Sequence, residues 1–283
     1  MAQRWNPRQA MLEERFEIFH YLDRSVDVEL HHHDFYEIYY FLSGHVTYCI
    51  EGRNYQLEPG DILLMAPEEL HQPLVQPGQG YERYVLWIDR RYLAQLSTPE
   101  ADLSACFQPE HPYRRRILRP GPEASAQIKI LLQILLPNQE QDGYSMLKQQ
   151  SLIALLLARI NQLCPISPVI EPNDQLTSTV SQVVRYIDEH ITEPITLEDL
   201  ASQFYLSKYH LLREFQKRFG TTIHKYIQKR RLLLAKGLLN RGQKPSALFT
   251  QCGFRDYATF YRAFVGEYGL SPREYQAFVN REP

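Results

Sequence analysis

Three histidines and one glutamate give the first quarter of the chain the densest potential for ligand chemistry. They are His31, His33, Glu37 and the later His71. If the segment that starts at His31 is extended, period-two alternation places His31, His33, Glu37 and Tyr39 on one face. Imidazole and carboxylate groups suit divalent transition metals, and the same groups can hydrogen-bond a polar molecule. The spacing therefore predicts a binding site.

Three interpretations of this cluster stay open at the level of sequence. In the first, it is a polar strand end with Glu37 hydrogen-bonded inside. In the second, His33, Glu37, Tyr39 and His71 form a metal-free pocket for a small molecule. In the third, His31, His33, Glu37 and His71 hold a divalent transition metal, although nothing in the sequence requires a cofactor. The chain has 19 tyrosines, whose rings and hydroxyls suit a sugar but also simply favour strands.

Short β-rich runs surround the cluster and must position it. They span residues 35–42, 45–50, 55–57, 62–65 and 81–88, with turns that contain glycine between them. Several short strands at this spacing favour an antiparallel barrel or jelly roll, which can hold a small ligand. We expect residues 1–120 to form this ligand-binding domain.

Two apolar helices and a linker follow. Residues 124–137 and 144–163 carry helical apolar patterns with more hydrophobic surface than one packed face needs. We therefore expect residues 121–164 to be a helical segment that forms a homodimer seam. Three prolines within eight residues, Pro165, Pro168 and Pro172, then predict an extended linker over 165–176.

The last hundred residues contain an internal repeat of one sequence pattern. Members of the two copies are 49 positions apart: Leu211, Arg213, Phe215, Gly220 and Tyr226 match Phe260, Arg262, Phe264, Gly269 and Tyr275. A repeated apolar pattern indicates a repeated supersecondary unit, because each copy must bury the same face. Each copy contains two short amphipathic helices, the second starting after a capping residue, Ser207 or Asp256. We predict two helix-turn-helix units within residues 177–283, joined by a long helix from Thr222 to about Asn240.

The second helix of each unit has an outward face that can enter a major groove, where arginine can bind a guanine edge. In the first unit this face consists of Tyr209, Leu212, Arg213 and Gln216, and in the second of Ala258, Thr259, Tyr261 and Arg262. Lys208 and Lys217 are predicted to contact phosphates, which position a protein on DNA without specifying sequence.

The distribution of charge supports contact with DNA by one half only. Residues 180–283 contain 16 Lys and Arg against 10 Asp and Glu, a net charge of +6, whereas residues 1–179 carry −8. The N-terminus has no signal peptide pattern, and no apolar run is long enough to cross a bilayer. The four scattered cysteines suit reduced thiols. We therefore expect a cytoplasmic protein without a membrane partner.

The residues of the second half resemble the DNA-binding domain of AraC/XylS transcription regulators over about 100 positions. The matching positions are Leu197, Leu200, Ala201 and Phe204, then Ser207 to Gly220, Tyr226, Arg231, Leu232, Ala235, Gly253, Phe254, Asp256, Phe260, Arg262, Phe264, Gly269, Ser271, Pro272 and Tyr275. The resemblance implies seven helices whose two recognition helices enter successive major-groove segments. Pro245 and Phe249 depart from the usual pattern, so we weight the first unit more heavily for sequence readout.

The first half resembles cupins. His31, His33, Glu37 and Gly44 match one cupin motif, and Pro59, Gly60, Asp61 and His71 match the other. The stretches 34–38 and 59–62 also resemble the sensor cupins that are fused to AraC-type DNA-binding domains. In metal-binding cupins the histidine and glutamate positions hold a divalent transition metal.

These observations predict an α+β multidomain protein. An N-terminal antiparallel cupin or jelly-roll barrel with a helical pair precedes an all-α domain with two helix-turn-helix units. The predicted function is sequence-specific regulation of transcription, as an activator, in response to a small effector such as a sugar. The expected partners are double-stranded promoter DNA, the effector, a second copy of the chain and RNA polymerase. The alternatives are a metal-dependent cupin enzyme with an accessory helical domain and a constitutive DNA-binding protein.

Overall fold

A computed structural model describes residues 11–23, 28–76, 78, 80–136, 142–172 and 179–279. The chain divides into two compact units, one of Gln9–Asn173 and one that contains Asp174–Pro283. The division agrees in position with the proline-rich segment predicted as a linker. Residues 173–176 of that predicted linker, and Ser178, lie outside the described residues.

The described residues of the first unit form eight strands. They are β1 (Phe16–Asp23), β2 (Tyr36–Ser43), β3 (Val46–Ile50), β4 (Arg53–Gln56), β5 (Ile62–Met65), β6 (His71–Val75), β7 (Tyr81–Ile88) and β8 (Ile117–Leu118). All pairings are antiparallel and form two sheets, of order β1-β7-β2-β5-β8 and β4-β3-β6. The first unit is therefore built on antiparallel sheets, as the sequence predicts. The strand pairings define two separate sheets and do not by themselves show a closed barrel.

The central strands of the larger sheet are buried on both faces, which explains why they are almost continuously apolar. Alternate residues of β2, Tyr39 and Phe41, pack into a core that also contains Tyr48 and Ile50 of the smaller sheet. The residues between them, such as Ile38, point to the opposite face and pack into a second core shared with helices. The candidate ligand site lies on the face turned toward the smaller sheet.

Helices cover the other face of the larger sheet. They are α1 (Arg90–Leu96), α2 (Pro122–Leu135) and α3 (Gly143–Leu163), with a short 3-10 turn at Ala105–Phe107. Asp89 and Asp142 cap α1 and α3 by accepting backbone N–H groups of the first turn, and Pro122 begins α2. Within α3, Ile153, Leu156 and Ile160 are buried at helical spacing against the sheet.

The sequence analysis missed four elements of this unit: β1, β6, β8 and α1. Pro73 lies in β6, and a proline within an apolar run argues against a strand because it donates no ladder hydrogen bond. It is tolerated here because β6 is an edge strand of the smaller sheet: it pairs with β3 along its length and is bridged on its other side to His31 at its first residue. The two-residue β8 is too short to produce a periodic pattern.

The described residues of the second unit form seven helices, as the family resemblance implies. They are α4 (Thr179–Glu189), α5 (Leu197–Gln203), α6 (Lys208–Phe219), α7 (Ile223–Asn240), α8 (Pro245–Gln251), α9 (Tyr257–Tyr268) and α10 (Pro272–Val279). Thr196, Ser207, Thr222 and Asp256 cap α5, α6, α7 and α9 through their side-chain oxygens. Lys244 precedes α8 without a side-chain capping bond, and Pro245 is its first residue.

The two copies of the sequence repeat have matching environments. Leu211 and Phe215 of α6 are fully buried, and so are Phe260 and Phe264 at the equivalent positions of α9. Gly220 and Gly269 end the two helices in the left-handed conformation, with φ of 60° and 73°. The 49-residue spacing therefore corresponds to two helices with the same buried side and the same termination.

A tight contact fixes the turn between α8 and α9. Gly253 has a φ of +78°, and a Cβ there would lie 2.7 Å from the carbonyl oxygen of Ile191 and 2.8 Å from Nε of Arg231. Arg231 in α7 donates to the carbonyls of Ile191 and Glu193, at 2.9 and 2.7 Å. A glycine at this position therefore lets the turn pack against the arginine and the segment that follows α4.

We expect Gly253→Ala to lower the free energy of unfolding of the helical unit by about 2–4 kcal/mol, because it combines backbone strain with displacement of Arg231. Gly242→Ala is the matched control. Gly242 also has a positive φ, of +81°, but no atom within 4 Å of an added Cβ, so we expect a loss of only about 1 kcal/mol. Chemical denaturation followed by circular dichroism measures both values, and equal losses would contradict a steric role for the contact.

Within the described part of the chain, no helix combines the length and apolar character needed to cross a membrane. All four cysteines are buried free thiols.

Candidate ligand site and DNA-binding face

The predicted histidine and glutamate residues converge at the start of β2. Glu37 lies in β2 and His71 begins β6, so each sheet contributes one of them. His33 precedes β2, and its ring stacks on Phe35 with the ring centroids 4.0 Å apart. His33, Glu37 and His71 are all buried. Folding therefore brings together three of the four residues that the sequence analysis grouped as metal ligands.

Backbone carbonyls fix the tautomers of the histidine rings. Nδ1 of His33 lies 2.9 Å from the carbonyl oxygen of Phe35, and Nδ1 of His71 lies 2.8 Å from that of Glu69. Because a carbonyl only accepts, each Nδ1 must carry the proton. In the neutral rings the lone pairs are then on Nε2, and both Nε2 atoms are buried without a well-aligned hydrogen bond from a described residue.

The two Nε2 atoms face the carboxylate of Glu37. His33 Nε2 lies 3.3 Å from Oε2, and His71 Nε2 lies 4.0 Å from Oε1. Burial opposes ionisation of Glu37, but contacts with His33, then His71 and Trp87, hold the pKa of its carboxyl below the usual value. Either a proton on a histidine Nε2 or a bound cation can lie between the rings and this carboxylate. The three donors lie within 4.8 Å of one another, close to the span across an ion with bonds of about 2.1 Å.

This donor set fits a divalent transition metal. Nitrogen and carboxylate oxygen ligands suit such ions, and metal-bound histidines ordinarily donate their other ring N–H to a carbonyl, as both rings do here. The same groups also suit a ligand that donates hydrogen bonds. His31 lies outside the compact set: it is half-buried, donates from Nδ1 to Glu29, and has its ring 4.3 Å from that of His71.

We expect the β-rich unit to lose stability in mild acid. Burial, with the nearby His33 ring, lowers the pKa of His71 to about 4 from an ordinary 6.5. As pH falls from about 6.5 to about 4, the unfolded chain binds a proton that the folded chain excludes. Stability is therefore complete above pH 6.5 and falls through this window, by up to about 3 kcal/mol. Thermal unfolding with a chelator present, at pH values from 7 to 4, measures the loss.

The control for this pH dependence is His71→Asn, whose amide can keep the bond to the Glu69 carbonyl and does not titrate. We expect its melting temperature to fall less steeply over the same range. A slope equal to that of the unchanged chain would assign the acid sensitivity to other groups.

Aromatic hydroxyls extend the site inward from the histidines. The ring of Tyr48 lies 6.3 Å from that of His71 and 5.2 Å from that of Tyr39. Tyr39 in turn hydrogen-bonds Tyr81 through its hydroxyl. Burial raises the pKa of Tyr81 to about 12 and those of Tyr39 and Tyr48 well above the ordinary value, so all three remain protonated. The predicted effector residue Tyr39 thus belongs to a connected row of buried hydroxyls.

Several residues of this site were missed from the sequence. Trp87 donates from Nε1 to Oε2 of Glu37 at 2.7 Å, directly across the β2–β7 pair. Arg83 is buried between the rings of Tyr21 and Tyr81, at 4.7 and 4.0 Å, and pairs with Asp23 at 2.7 Å. The Glu37–Trp87 contact depends on strand register, which the apolar runs alone do not define. The position of Arg83 within an apolar strand run was a signal in the sequence that could have indicated its contacts with Tyr21, Tyr81 and Asp23.

The outward face of α6 is exposed as predicted from its spacing. Tyr209 is 75% exposed and Leu212 40%, and the Arg213 side chain is 58% exposed. Gln216 is also exposed. Among the described residues, Arg213 contacts neighbours on its own helix: Glu214 at 3.2 Å, His210 at 3.4 Å and the ring of Tyr209, whose centroid is 6.0 Å away. The side chain is therefore available to a partner outside the chain.

The corresponding face of α9 is also exposed, at Ala258, Thr259, Tyr261 and Arg262. The hydroxyl of Thr259 donates to Asp256 at 3.0 Å as part of the helix cap, so it already has an acceptor. Arg262 makes a 3.3 Å contact with the Ala258 carbonyl and is otherwise directed away from the core. The faces of both helices thus present one arginine and one tyrosine.

The lysines differ in their availability for phosphate contacts. Lys217 is exposed, whereas Lys208 pairs with Glu198 on the surface. Lys229, a further lysine of this unit, is mostly buried and pairs with Glu267 at 2.6 Å. Its charge is therefore already neutralised within the helical unit.

Comparison with known proteins assigns a class to each half. Residues 17–158 match the family model of the AraC-like ligand binding domain, and residues 200–277 match that of a helix-turn-helix domain. A ligand-binding domain followed by a helix-turn-helix domain defines a ligand-responsive transcription regulator. The chain belongs to the AraC family of transcriptional regulators. The relatives that it matches are named as transcriptional regulators, not as enzymes.

The relatives include an uncharacterized HTH-type transcriptional regulator, YbfI, from Bacillus subtilis (strain 168). It is 28% identical over 229 residues, which cover 80% of this chain and 78% of that protein. The HTH-type transcriptional activator RhaS of Salmonella schwarzengrund (strain CVM19633) is 24% identical over 256 residues, with 86% of each chain covered. Among solved structures, wild-type ToxT from Vibrio cholerae strain SCE256, bound to an unsaturated fatty acid, has a TM-score of 0.40 at 15% identity and covers 94% of this chain and 97% of that one.

Proposed function

We propose that this regulator reads double-stranded promoter DNA through two helix-turn-helix units under the control of a small molecule bound between its sheets. The observation that carries the proposal is the pair of helices α6 and α9. They repeat the same pattern 49 residues apart, bury the same side and expose an arginine at the same position.

The DNA-reading part of the proposal follows from these exposed faces. Arg213 and Arg262 address guanine edges, and the tyrosine and leucine side chains beside them contact apolar base edges. Lys208 and Lys217 contact phosphates. Because both units belong to one chain, each protomer needs two adjacent major-groove segments about one helical turn apart. The net charge of +6 over residues 180–283 favours this approach to DNA.

The effector part rests on the polar groups buried between the two sheets, which we propose to close as a jelly roll. Two Nε2 lone pairs, the Glu37 carboxylate and the row of tyrosine hydroxyls offer both acceptors and donors. The surrounding aromatic rings can stack on an apolar face of the ligand. These groups suit a polar, hydroxylated molecule such as a sugar, bound by His33, Glu37, Tyr39 and His71, with His31 at the edge.

A divalent transition metal, if bound, would be held by His33, Glu37 and His71. Such an ion would supply a Lewis-acidic anchor for an oxygen of the effector. The residues of this chain set the arrangement for it: the Phe35 and Glu69 carbonyls hold the two rings with Nε2 inward, and Trp87 orients the carboxylate.

We further propose that the regulator is a cytoplasmic homodimer that activates transcription, with RNA polymerase as a further partner. The name of the RhaS relatives, transcriptional activators, supports activation. The helical pair supports the dimer because α3 exposes large apolar side chains that a second copy of the chain could cover. The exposed fractions are 87% for Tyr144, 60% for Leu147 and 57% for Leu155. A monomeric mass at micromolar concentration would count against this assembly.

A thermal-shift screen of sugars on protein purified without an affinity tag tests the effector site. We expect a sugar that raises the melting temperature to change the affinity for the promoter by about 5-fold or more, as coupled sites do. Glu37→Gln should abolish the response. Glu82→Gln, on the same unit but paired with His20 at the surface, should retain it.

An effector that binds but leaves both promoter affinity and transcription unchanged would favour a constitutive DNA-binding protein. Metal analysis of the same tag-free protein separates the two chemical versions of the pocket. A stoichiometric metal ion would exclude the metal-free version.

A further inference from the structure

Three consecutive arginines, 114–116, precede β8 and are half-buried. Arg114 and Arg116 both pair with the mostly buried carboxylate of Glu69, at 2.7 and 3.2 Å. Burial opposes ionisation of Glu69, but these arginines hold the pKa of its carboxyl below the usual value. The run is therefore fixed in the fold of the first unit by a specific acceptor.

This fixed run lines a cleft of about 310 Å³ that lies away from the histidine site. Arg53 and Tyr55 of β4 form part of the lining together with the arginine run, and residues 169–172 complete it. The volume is at the lower end of the range for small-molecule sites. A concave site of this size admits a small ligand, whereas a DNA duplex would contact a convex or extended basic surface.

Two of the four arginines in the cleft form no ion pair with a described residue. Arg53 is exposed and makes no ion pair with any residue that the structure describes. Arg115 donates to the carbonyl of Arg114 at 3.1 Å, and its Nε is buried without an acceptor in the described part of the chain. No described carboxylate therefore neutralises the charge of either guanidinium, which favours an anionic ligand in the cleft that both residues line.

The balance of charge defines the ligand. Four arginines face three carboxylates: the lining residue Glu171, Glu69, which pairs with two of the arginines, and Glu51, which acts on Arg116. The net charge is therefore about +1, which favours an anionic ligand. A phosphate monoester carries about −1.5 to −2 at neutral pH, and its oxygens match the donor geometry of guanidinium groups. The carboxylate of Glu171 and the Tyr55 ring suit hydroxyl and carbon atoms in the remainder of such a ligand.

We propose that this cleft is a second ligand site, selective for a small phosphate-bearing molecule held by Arg53 and Arg115. The wall formed by residues 169–172 immediately precedes, in the chain, the segment that connects to the DNA-binding helices. Occupation of the cleft orders this wall. On the proposed function of the chain, the site is thus a second input to the regulator, separate from the pocket between the sheets.

Isothermal titration calorimetry on the full chain in low-salt buffer, without DNA, tests the site. The probes are glycerol 3-phosphate, inorganic phosphate and glycerol. We expect glycerol 3-phosphate to bind with one site per chain and glycerol to give no heat. Arg53→Gln and Arg115→Gln should each weaken binding about tenfold or more, since each removes a charge-assisted hydrogen bond. Inorganic phosphate that binds as tightly as the ester would support the site and assign it to free phosphate.

Arg90→Gln is the matched control, because Arg90 is an exposed arginine on α1 of the same unit. It should bind both phosphate probes unchanged. Hydrogen exchange at Val169, Ile170 and Glu171 should slow in the presence of the bound ester. Absence of heat with both phosphate probes, or equal loss in Arg90→Gln and Arg115→Gln, would overturn the proposal. A loss of random-DNA affinity in Arg115→Gln without a loss of phosphate binding would reassign the arginines to DNA.

These measurements do not depend on DNA recognition or on the effector. Failure of the phosphate site would therefore leave the proposed function intact, and failure of the sugar screen would leave the phosphate site intact.

Discussion

Replacing Arg213 and Arg262 together with alanine is expected to lower the affinity for a specific promoter by about 2–6 kcal/mol. Each arginine of this kind contributes about 1–3 kcal/mol of base discrimination, and contributions from separate sites add. Both side chains are exposed, and within the part of the chain that the structure describes their contacts are with neighbours on their own helices. Their removal therefore leaves the fold intact, and the loss reports contacts with DNA.

The single variants Arg213→Ala and Arg262→Ala show how much of this loss of promoter affinity comes from each helix. We expect Arg213→Ala to cost more than Arg262→Ala, because α8 lacks a side-chain cap and begins with Pro245, so the second unit is held differently. Lys217→Ala is the control, since a phosphate contact weakens all sequences alike. Titration of each variant with specific and with random DNA duplexes, at several salt concentrations, measures its base-specific and its phosphate-dependent loss of affinity. Equal losses on both duplexes for Arg213→Ala would place it with the phosphate contacts.

Phe215→Ala and Phe264→Ala are each expected to lower the free energy of unfolding of the helical unit by about 3–5 kcal/mol. Both rings are fully buried at equivalent positions of α6 and α9. Phe215 stacks on Phe219 at 4.4 Å, and Phe264 packs against Tyr268 at 4.5 Å between ring centroids. Deletion of either ring leaves a cavity that rigid helix packing cannot fill. Chemical denaturation measures both losses.

Two tyrosines on the same helices supply matched controls for these core variants. Tyr209 is 75% and Tyr261 41% exposed, so their replacement by alanine should change stability by less than about 1 kcal/mol. It should instead weaken binding to the specific promoter. A large loss of stability in Tyr209→Ala, or a small one in Phe215→Ala, would mean that the inward and outward faces of α6 are assigned wrongly.

The helical unit could be predicted closely from the sequence because its signals are local. Capping residues such as Ser207 and Asp256 define where helices begin, and Gly220 and Gly269 define where they end. The inward and outward residues of α6 follow from a 3.6-residue period. The repeat confirms the same pattern independently. The assignment of individual side chains to DNA contacts stays a prediction.

The β-rich unit was less predictable because its contacts are distant in sequence. The edge strand with Pro73 has a weak strand pattern, and nothing local indicates that Arg114 and Arg116 reach Glu69, more than 40 positions away. The convergence of His33, Glu37 and His71 could be predicted from a motif. Trp87, the hydrogen-bond donor that orients Glu37, depends on strand register and could not.

The two faces of strand β2 can be mutated separately, for two different purposes. Its residues Glu37 and Tyr39 point to the space between the sheets, whereas Ile38 and Tyr40 point to the helices, and Tyr40 hydrogen-bonds the side chain of Ser125 in α2 at 2.7 Å. Libraries that vary only the odd-numbered positions could retarget the sensor to new inducers without disturbing helix attachment. Variation at the even-numbered positions would instead change how the larger sheet packs against α2 and α3.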